Sequence, residues 1–177
     1  MNQSKYRIFI ITSSRSDYGI LEKLIEKINI NKSFDSFVIV TGSHFNKKLG
    51  YSYKKINIKN KKKIIRLKIS NHSDKIDSSI ENISEIFMKY KNYISKYNPS
   101  LQIILGDRYE ILPFAVTGHI YKIKTAHIHG GELTYGSIDD SIRHAITKFS
   151  NLHFVSNLIY KKRVIQLGEN KNNVYHV

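Results

Sequence analysis

AHIHGGELTYGSIDDSIRHAITKFS, residues 126–150, is the stretch whose reading decides the fold. It opens as a short strand over residues 125–129 and breaks on Gly130 and Gly131. Polar groups then run through a loop into a helix that starts near residues 137–140 and reads to about Lys148. A strand that passes through a glycine turn into a helix start brings His129, Glu132, Asp139 and Asp140 close together. In open α/β sheets ligands sit outside the carboxyl ends of the strands, where this loop should lie. A plainer reading stands beside it. Ser137 with Asp140 fits a capping box, and acidic residues in a first helical turn are worth ~0.3–1 kcal/mol against the helix dipole. The two glycines and the crowd of ionisable groups favour a site.

Working outward, the same strand–polar turn–helix unit recurs. Upstream, residues 101–105 form a short apolar strand of the buried parallel type, followed at once by Gly106, Asp107 and Arg108 and by a helix over residues 109–120. Asp107 is either the helix cap or a carboxylate aimed into the crevice, and its strand-end position favours the crevice. Before it lies a long amphipathic helix, residues 79–97, with Ile80, Ile83, Ile86, Phe87, Tyr90 and Ile94 on one face and Asn98-Pro99 closing it. Downstream, residues 153–156 read as a strand, 157–167 as a helix stopped by Gly168, and 173–177 as a strand just begun.

At the amino end, residues 6–12 (YRIFIIT) are a compact run of β-formers and read as a buried first strand. The loop SSRSDYG, residues 13–19, leads into a helix carrying Leu21, Leu24, Ile25 and Ile28 at helical spacing. The first amides of a helix are unpaired and favour an anion, and Arg15 adds a planar donor suited to carboxylate or phosphate. No GxGxxG fingerprint is present, so a dinucleotide cofactor is not indicated. Residues 34–40 (FDSFVIV) form a second strand ending in Thr41, Gly42, Ser43 and His44; the histidine either faces the site or is merely exposed. A strand at residues 64–69 and a polar loop at 70–78 follow. Strands alternate with helices, so the expected fold is α/β, a doubly wound parallel sheet.

The 177 residues suit one buried domain. No apolar run has the length of a membrane span, no signal peptide is visible, and the expected location is the cytoplasm. Without cysteine there is no thiolate nucleophile, thiolate metal site or disulfide. The formal charge of +15 is concentrated between Lys47 and Lys68. That segment reads either as a footprint for nucleic acid or a phosphate-bearing ligand, or as lysines coating solvated faces. The second reading is preferred, because the apolar residues from Ile65 to Ile69 alternate with charges as in a strand.

SSRSDYG, TGSH, LGDRYE, HIHGGE, IDDSIRHAITK and YKKRVIQLGE occur in that order, and together they resemble the hydrolysing UDP-N-acetylglucosamine 2-epimerases that supply ManNAc for sialic acid synthesis. The resemblance covers nearly the whole chain. It implies a Rossmann-like domain, the N-terminal half of a two-domain GT-B architecture, with the C-terminal UDP-binding domain absent from residues 1–177. It implies a UDP-sugar substrate, no metal, no cofactor, no nucleic acid or membrane partner, and a homo-oligomer when complete. The reaction it implies is anti elimination of UDP across C1–C2 to a glycal, followed by addition of water.

By the same resemblance Asp107 matches a catalytic carboxylate and Asp139 the acidic residue before the Arg-His pair. His129 stands where related non-hydrolysing epimerases carry a glutamate, and Glu132 is the neighbouring candidate for acid/base work. Arg15, with Ser14 beside it, matches a residue near the diphosphate. His44, Arg108, Arg143 and His144 complete the substrate-binding set. Hydrolysis of UDP-N,N′-diacetylbacillosamine is the close alternative within the class. A non-catalytic sugar-nucleotide binding module is the alternative outside it, and a nucleic-acid binder is a third reading that no recognition motif supports.

Overall fold

The computed structural model describes residues 5–58, 63–70 and 76–177. Seven strands, β1 (Tyr6–Thr12), β2 (Phe34–Val40), β3 (Ile64–Arg66), β4 (Leu101–Leu105), β5 (Lys124–Ile128), β6 (Leu152–Val155) and β7 (Val174–His176), form one sheet in the order β3-β2-β1-β4-β5-β6-β7. Every pairing is parallel. The helices are α1 (Arg15–Ile30), α2 (Ile76–Tyr97), α3 (Leu112–Ile120), α4 (Ile138–Lys148) and α5 (Leu158–Gln166). The order reverses between β1 and β4, which makes this a Rossmann-like doubly wound α/β fold, the layout of one half of a GT-B architecture. No described helix is long and apolar enough to cross a membrane.

Alternate residues of the central strands feed two cores. Ile8, Ile10, Val38 and Val40 pack under Leu21, Ile25 and Ile28 of α1. Phe9, Ile11, Phe37 and Ile39 face the other way, against Ile86, Tyr90 and Ile94 of α2, Phe114 of α3 and Ile146 of α4. A strand covered on both faces has no polar side to show, so β1 and β2 read as continuous apolar runs. Valines close a small third cluster, with Val164 of α5 on Val155 and Val174.

Three boundaries differ from the sequence reading by more than a single residue. α3 begins at Leu112 rather than Tyr109, with Pro113 in its first turn. Proline lacks the amide a helix interior needs and its ring clashes with the carbonyl four residues back, so residues before Leu112 cannot wind into the same helix. β3 stops at Arg66, although Leu67 and Ile69 stay buried and keep the expected alternation. Of the polar loop expected at 70–78, residues 71–75 lie outside the described residues, and the last three belong to α2. Part of the basic segment, residues 59–62, likewise lies outside them.

One buried polar group ties β4 to both neighbouring helices. The Gln102 side chain accepts from Tyr90 Oη at 2.6 Å and donates to the Phe114 carbonyl at 2.9 Å and to Thr125 Oγ1 at 2.8 Å. α3 comes this close only because Gly118 lacks a side chain: a Cβ there would lie 2.0 Å from Gln102 Nε2. Gly118→Ala should therefore cost about 2–3 kcal/mol in urea unfolding, despite the better helix propensity of alanine, because the amide cannot move without leaving its partners unpaired. Unchanged stability would contradict this packing.

Candidate active site

The polar strand ends all fall on the carboxyl edge of the sheet, where they form two groups. The first is built on Asp107. β4 leaves the sheet through Gly106, at φ +76°, and the turn is fastened by a residue of β5. His127 is fully buried, and its Nε2 donates to the Gly106 carbonyl at 2.8 Å. Its Nδ1 lies 3.2 Å from Thr147 Oγ1, a hydroxyl that donates to the Arg143 carbonyl at 3.0 Å. Burial disfavours the charged imidazolium and pushes the pKa of this ring down to about 3.

Beyond that turn the Asp107 carboxylate pairs with Arg143 of α4, whose Nη2 also donates to Thr134 Oγ1 at 3.2 Å. Burial pushes the Asp107 pKa above the ordinary carboxylate range. Arg143 opposes this and the charge of Asp139 adds to it. Arg143 is 6% exposed, and its Nε and Nη1 are buried without a partner. Buried donors are rarely left unpaired. Two donor nitrogens without a protein partner therefore stand beside a carboxylate whose pKa burial raises.

α4 sets this geometry through its cap. Ser137 Oγ accepts from the Asp139 N–H at 3.2 Å and donates to the Asp139 carboxylate at 3.0 Å. The capping box expected between Ser137 and Asp140 does not close. Asp140 instead accepts from the Thr134 N–H at 3.0 Å and faces His144 Nε2 at 3.8 Å, so it fastens the loop rather than the helix end. His144 Nδ1 is buried without a partner.

The second group hangs on β5 and β6. His129 follows β5 in the left-handed region, φ +65°, an uncommon conformation for a residue with a side chain. Its N–H donates to the Phe154 carbonyl at 2.9 Å, and its Nδ1 lies 3.2 Å from Glu132 Oε1. Ser156 Oγ donates to the same oxygen at 2.9 Å. Both side chains of the pair are partly open to solvent.

The remaining residues of the expected set lie around the end of β1 and are used differently. Ser14 caps α1, accepting from the Asp17 N–H at 3.2 Å and sharing a hydrogen bond with Ser16. His44 is buried with both ring nitrogens engaged, by Thr12 Oγ1 and Ser52 Oγ at 2.9 Å each, and burial pushes its pKa down to about 4. It holds the turn after β2 rather than facing outward. Arg108 pairs with the buried Glu110 at 3.3 Å. Arg15 is exposed on an open cavity of about 480 Å3 that Ser14, Ser43 and Ser52 also line. A larger groove, about 710 Å3, lies between α1 and the start of β2, at the opposite end of the sheet from these groups.

The structure thus joins Asp107, Asp139 and Arg143 in one cluster and His129 with Glu132 in another. Sequence reading missed His127, Thr134 and Ser156. His127 is hidden in an apolar strand and the other two act through contacts distant in sequence. Among the described residues no group of three histidines or carboxylates is placed to hold a metal ion.

A sequence model of UDP-N-acetylglucosamine 2-epimerase matches residues 26–177. The GDP/UDP-N,N′-diacetylbacillosamine 2-epimerase (hydrolyzing) of Campylobacter jejuni is 40% identical over 98% of the chain and 45% of its own length. The UDP-N-acetylglucosamine 2-epimerase of Neisseria meningitidis is 32% identical over 96% of the chain and 44% of its own length. The chain spans about half the length of these curated relatives. Among solved structures, the Methanocaldococcus jannaschii UDP-GlcNAc 2-epimerase in complex with UDP-GlcNAc and UDP superposes with a TM-score of 0.81. It is 18% identical, covering 97% of this chain and 46% of that one, which is a likeness of fold.

Proposed function

The chain belongs to the UDP-N-acetylglucosamine 2-epimerase family, and from that membership we propose that it is the sugar-acting half of a hydrolysing UDP-sugar 2-epimerase, completed by a nucleotide-binding domain. The observation that carries this reading is the buried Arg143, pinned to Asp107 with two donors unpartnered. Removing UDP from C1 while a proton leaves C2 needs a base near C2, a cationic or hydrogen-bonding clamp, and a group to direct water afterwards. The C2 proton is not adjacent to a carbonyl, so the leaving group departs early and carboxylates near the developing oxocarbenium charge stabilise it.

In this reading Asp107 takes the C2 proton as the C1–O bond to UDP breaks, and a proton returns to C2 on the opposite face as water adds at C1. A carboxyl raised by burial and by Asp139, yet tied to Arg143, is a better proton acceptor than a free aspartate. The free N–H groups of Arg143 take sugar oxygens. Glu132 with His129 directs the water that adds to the glycal, and Arg15 on its open cavity meets the diphosphate. His144 supports α4 beside Asp140, while His44 and Ser14 act through the turns they hold rather than by contact with the sugar.

The substrate is a UDP-linked 2-acetamido sugar. UDP-GlcNAc, giving ManNAc for sialic acid synthesis, is the first reading. The diacetamido sugar is a second, favoured by the 40% identity to the C. jejuni enzyme against 32% to the N. meningitidis one. The test joins this chain to its nucleotide-binding domain and follows each UDP-sugar in D2O by proton NMR. Release of UDP with deuterium at C2 of the freed sugar is the expected result, and the sugar consumed separates the two readings. UDP-sugar bound but not turned over in either case would replace the enzyme with a binding module.

A further inference from the structure

We propose that the unit formed by β6 and α5 backs the Glu132 carboxylate, with Ser156 and Arg163 as its two positioning residues. This rests on the reading of Glu132 as a group of the active site. The side-chain contacts described at Glu132 both fall on Oε1: the Ser156 hydroxyl at 2.9 Å and His129 Nδ1 at 3.2 Å. One hydrogen bond from Ser156 and the nearby imidazole nitrogen, both on the same oxygen, orient the carboxylate and leave Oε2 to meet a substrate or a water.

The second point of attachment is the backbone before it. The Arg163 guanidinium donates to the Gly131 carbonyl and lies 5.7 Å from the centre of the Tyr160 ring. Gly131, at φ +78°, sits so near α5 that a Cβ would lie 2.6 Å from the Tyr160 carbonyl oxygen and 2.8 Å from Val164 Cγ2. The loop therefore rests on α5 backbone against backbone. Arg163 closes that contact with a planar donor that a lysine reproduces only in part. α5 itself does not depend on it, because Val164 is anchored on Val155 and Val174.

Small errors in placing an acid/base group are expensive in turnover, whereas substrate affinity set elsewhere is not affected. In the chain completed by its nucleotide-binding domain, Ser156→Ala and Arg163→Gln should each lower kcat about tenfold with KM within about twofold. Ser156→Thr, which keeps the hydroxyl, should restore most of the rate, and Arg163→Lys only part of it. Unchanged kcat in Ser156→Ala and Arg163→Gln would overturn the proposal, as would a loss in Ser156→Ala that threonine does not rescue. Glu132→Gln is measured beside them. Full turnover there would remove Glu132 from the site and this proposal with it. An inactive Glu132→Gln beside a normal Ser156→Ala would leave Glu132 in place and remove only its support.

Discussion

Asp107→Asn in the completed enzyme should lower kcat by about a thousandfold while the domain stays folded. Asparagine keeps the shape of the side chain and still offers Arg143 an acceptor, but it cannot take a proton. The loss should fall on kcat, because in the proposed reading UDP is held elsewhere, by Arg15 and the nucleotide-binding half. A stability cost of about 1–2 kcal/mol accompanies it, since a buried guanidinium exchanges a charged partner for a neutral one. Asp139→Asn makes the companion test. Its charge helps to hold the Asp107 pKa up, so its removal should move the pH limb that belongs to Asp107 toward lower pH as well as slow turnover. Near-normal activity in both variants would remove these carboxylates from the chemistry, and the site would have to be sought elsewhere on the carboxyl edge.

The parts of this arrangement that sequence reading reaches are those whose physics is local. Residues 6–12, 34–40 and 101–105 coincide with β1, β2 and β4, because strands buried on both faces leave an unbroken apolar run. The strand-end clusters at Asp107 and Glu132 were legible for a related reason: polar residues after such a run lie on the carboxyl edge wherever the sheet is parallel. Roles that depend on a distant partner were not legible. His44 looks the same in a sequence whether it faces the cleft or turns inward to Thr12 and Ser52. Ser14 belongs to a motif that suggests an anion site, yet the helix start it precedes uses its oxygen. The start of α3 lies three residues later than the apolar pattern suggests, because Pro113 sets it, a local effect that is readable in the sequence.

Acidification should destabilise this domain above the pH at which its carboxylates are protonated. Burial pushes the imidazole of His127 down to about 3 and that of His44 down to about 4, whereas in the unfolded chain both titrate near ~6.5. Between those values the unfolded state binds protons that the folded state refuses, so stability falls as pH falls. The contribution of keeping these rings neutral is complete above the unfolded pKa and is withdrawn at about 1.4 kcal/mol per pH unit for each ring. From pH 7 to pH 5 the two together should remove about 4 kcal/mol, a large share of the ~5–15 kcal/mol that holds an ordinary domain together. Urea unfolding at a series of pH values measures this directly. His127→Gln keeps a donor for the Gly106 carbonyl but does not titrate, so it should cost some stability at pH 7 and show a shallower slope below it; His44 and the likewise depressed His153 carry the remainder. A slope unchanged by that substitution would place the proton uptake on other groups. A shallower slope would tie acid sensitivity to the ring that fastens the Gly106 turn, beside which Asp107 meets Arg143.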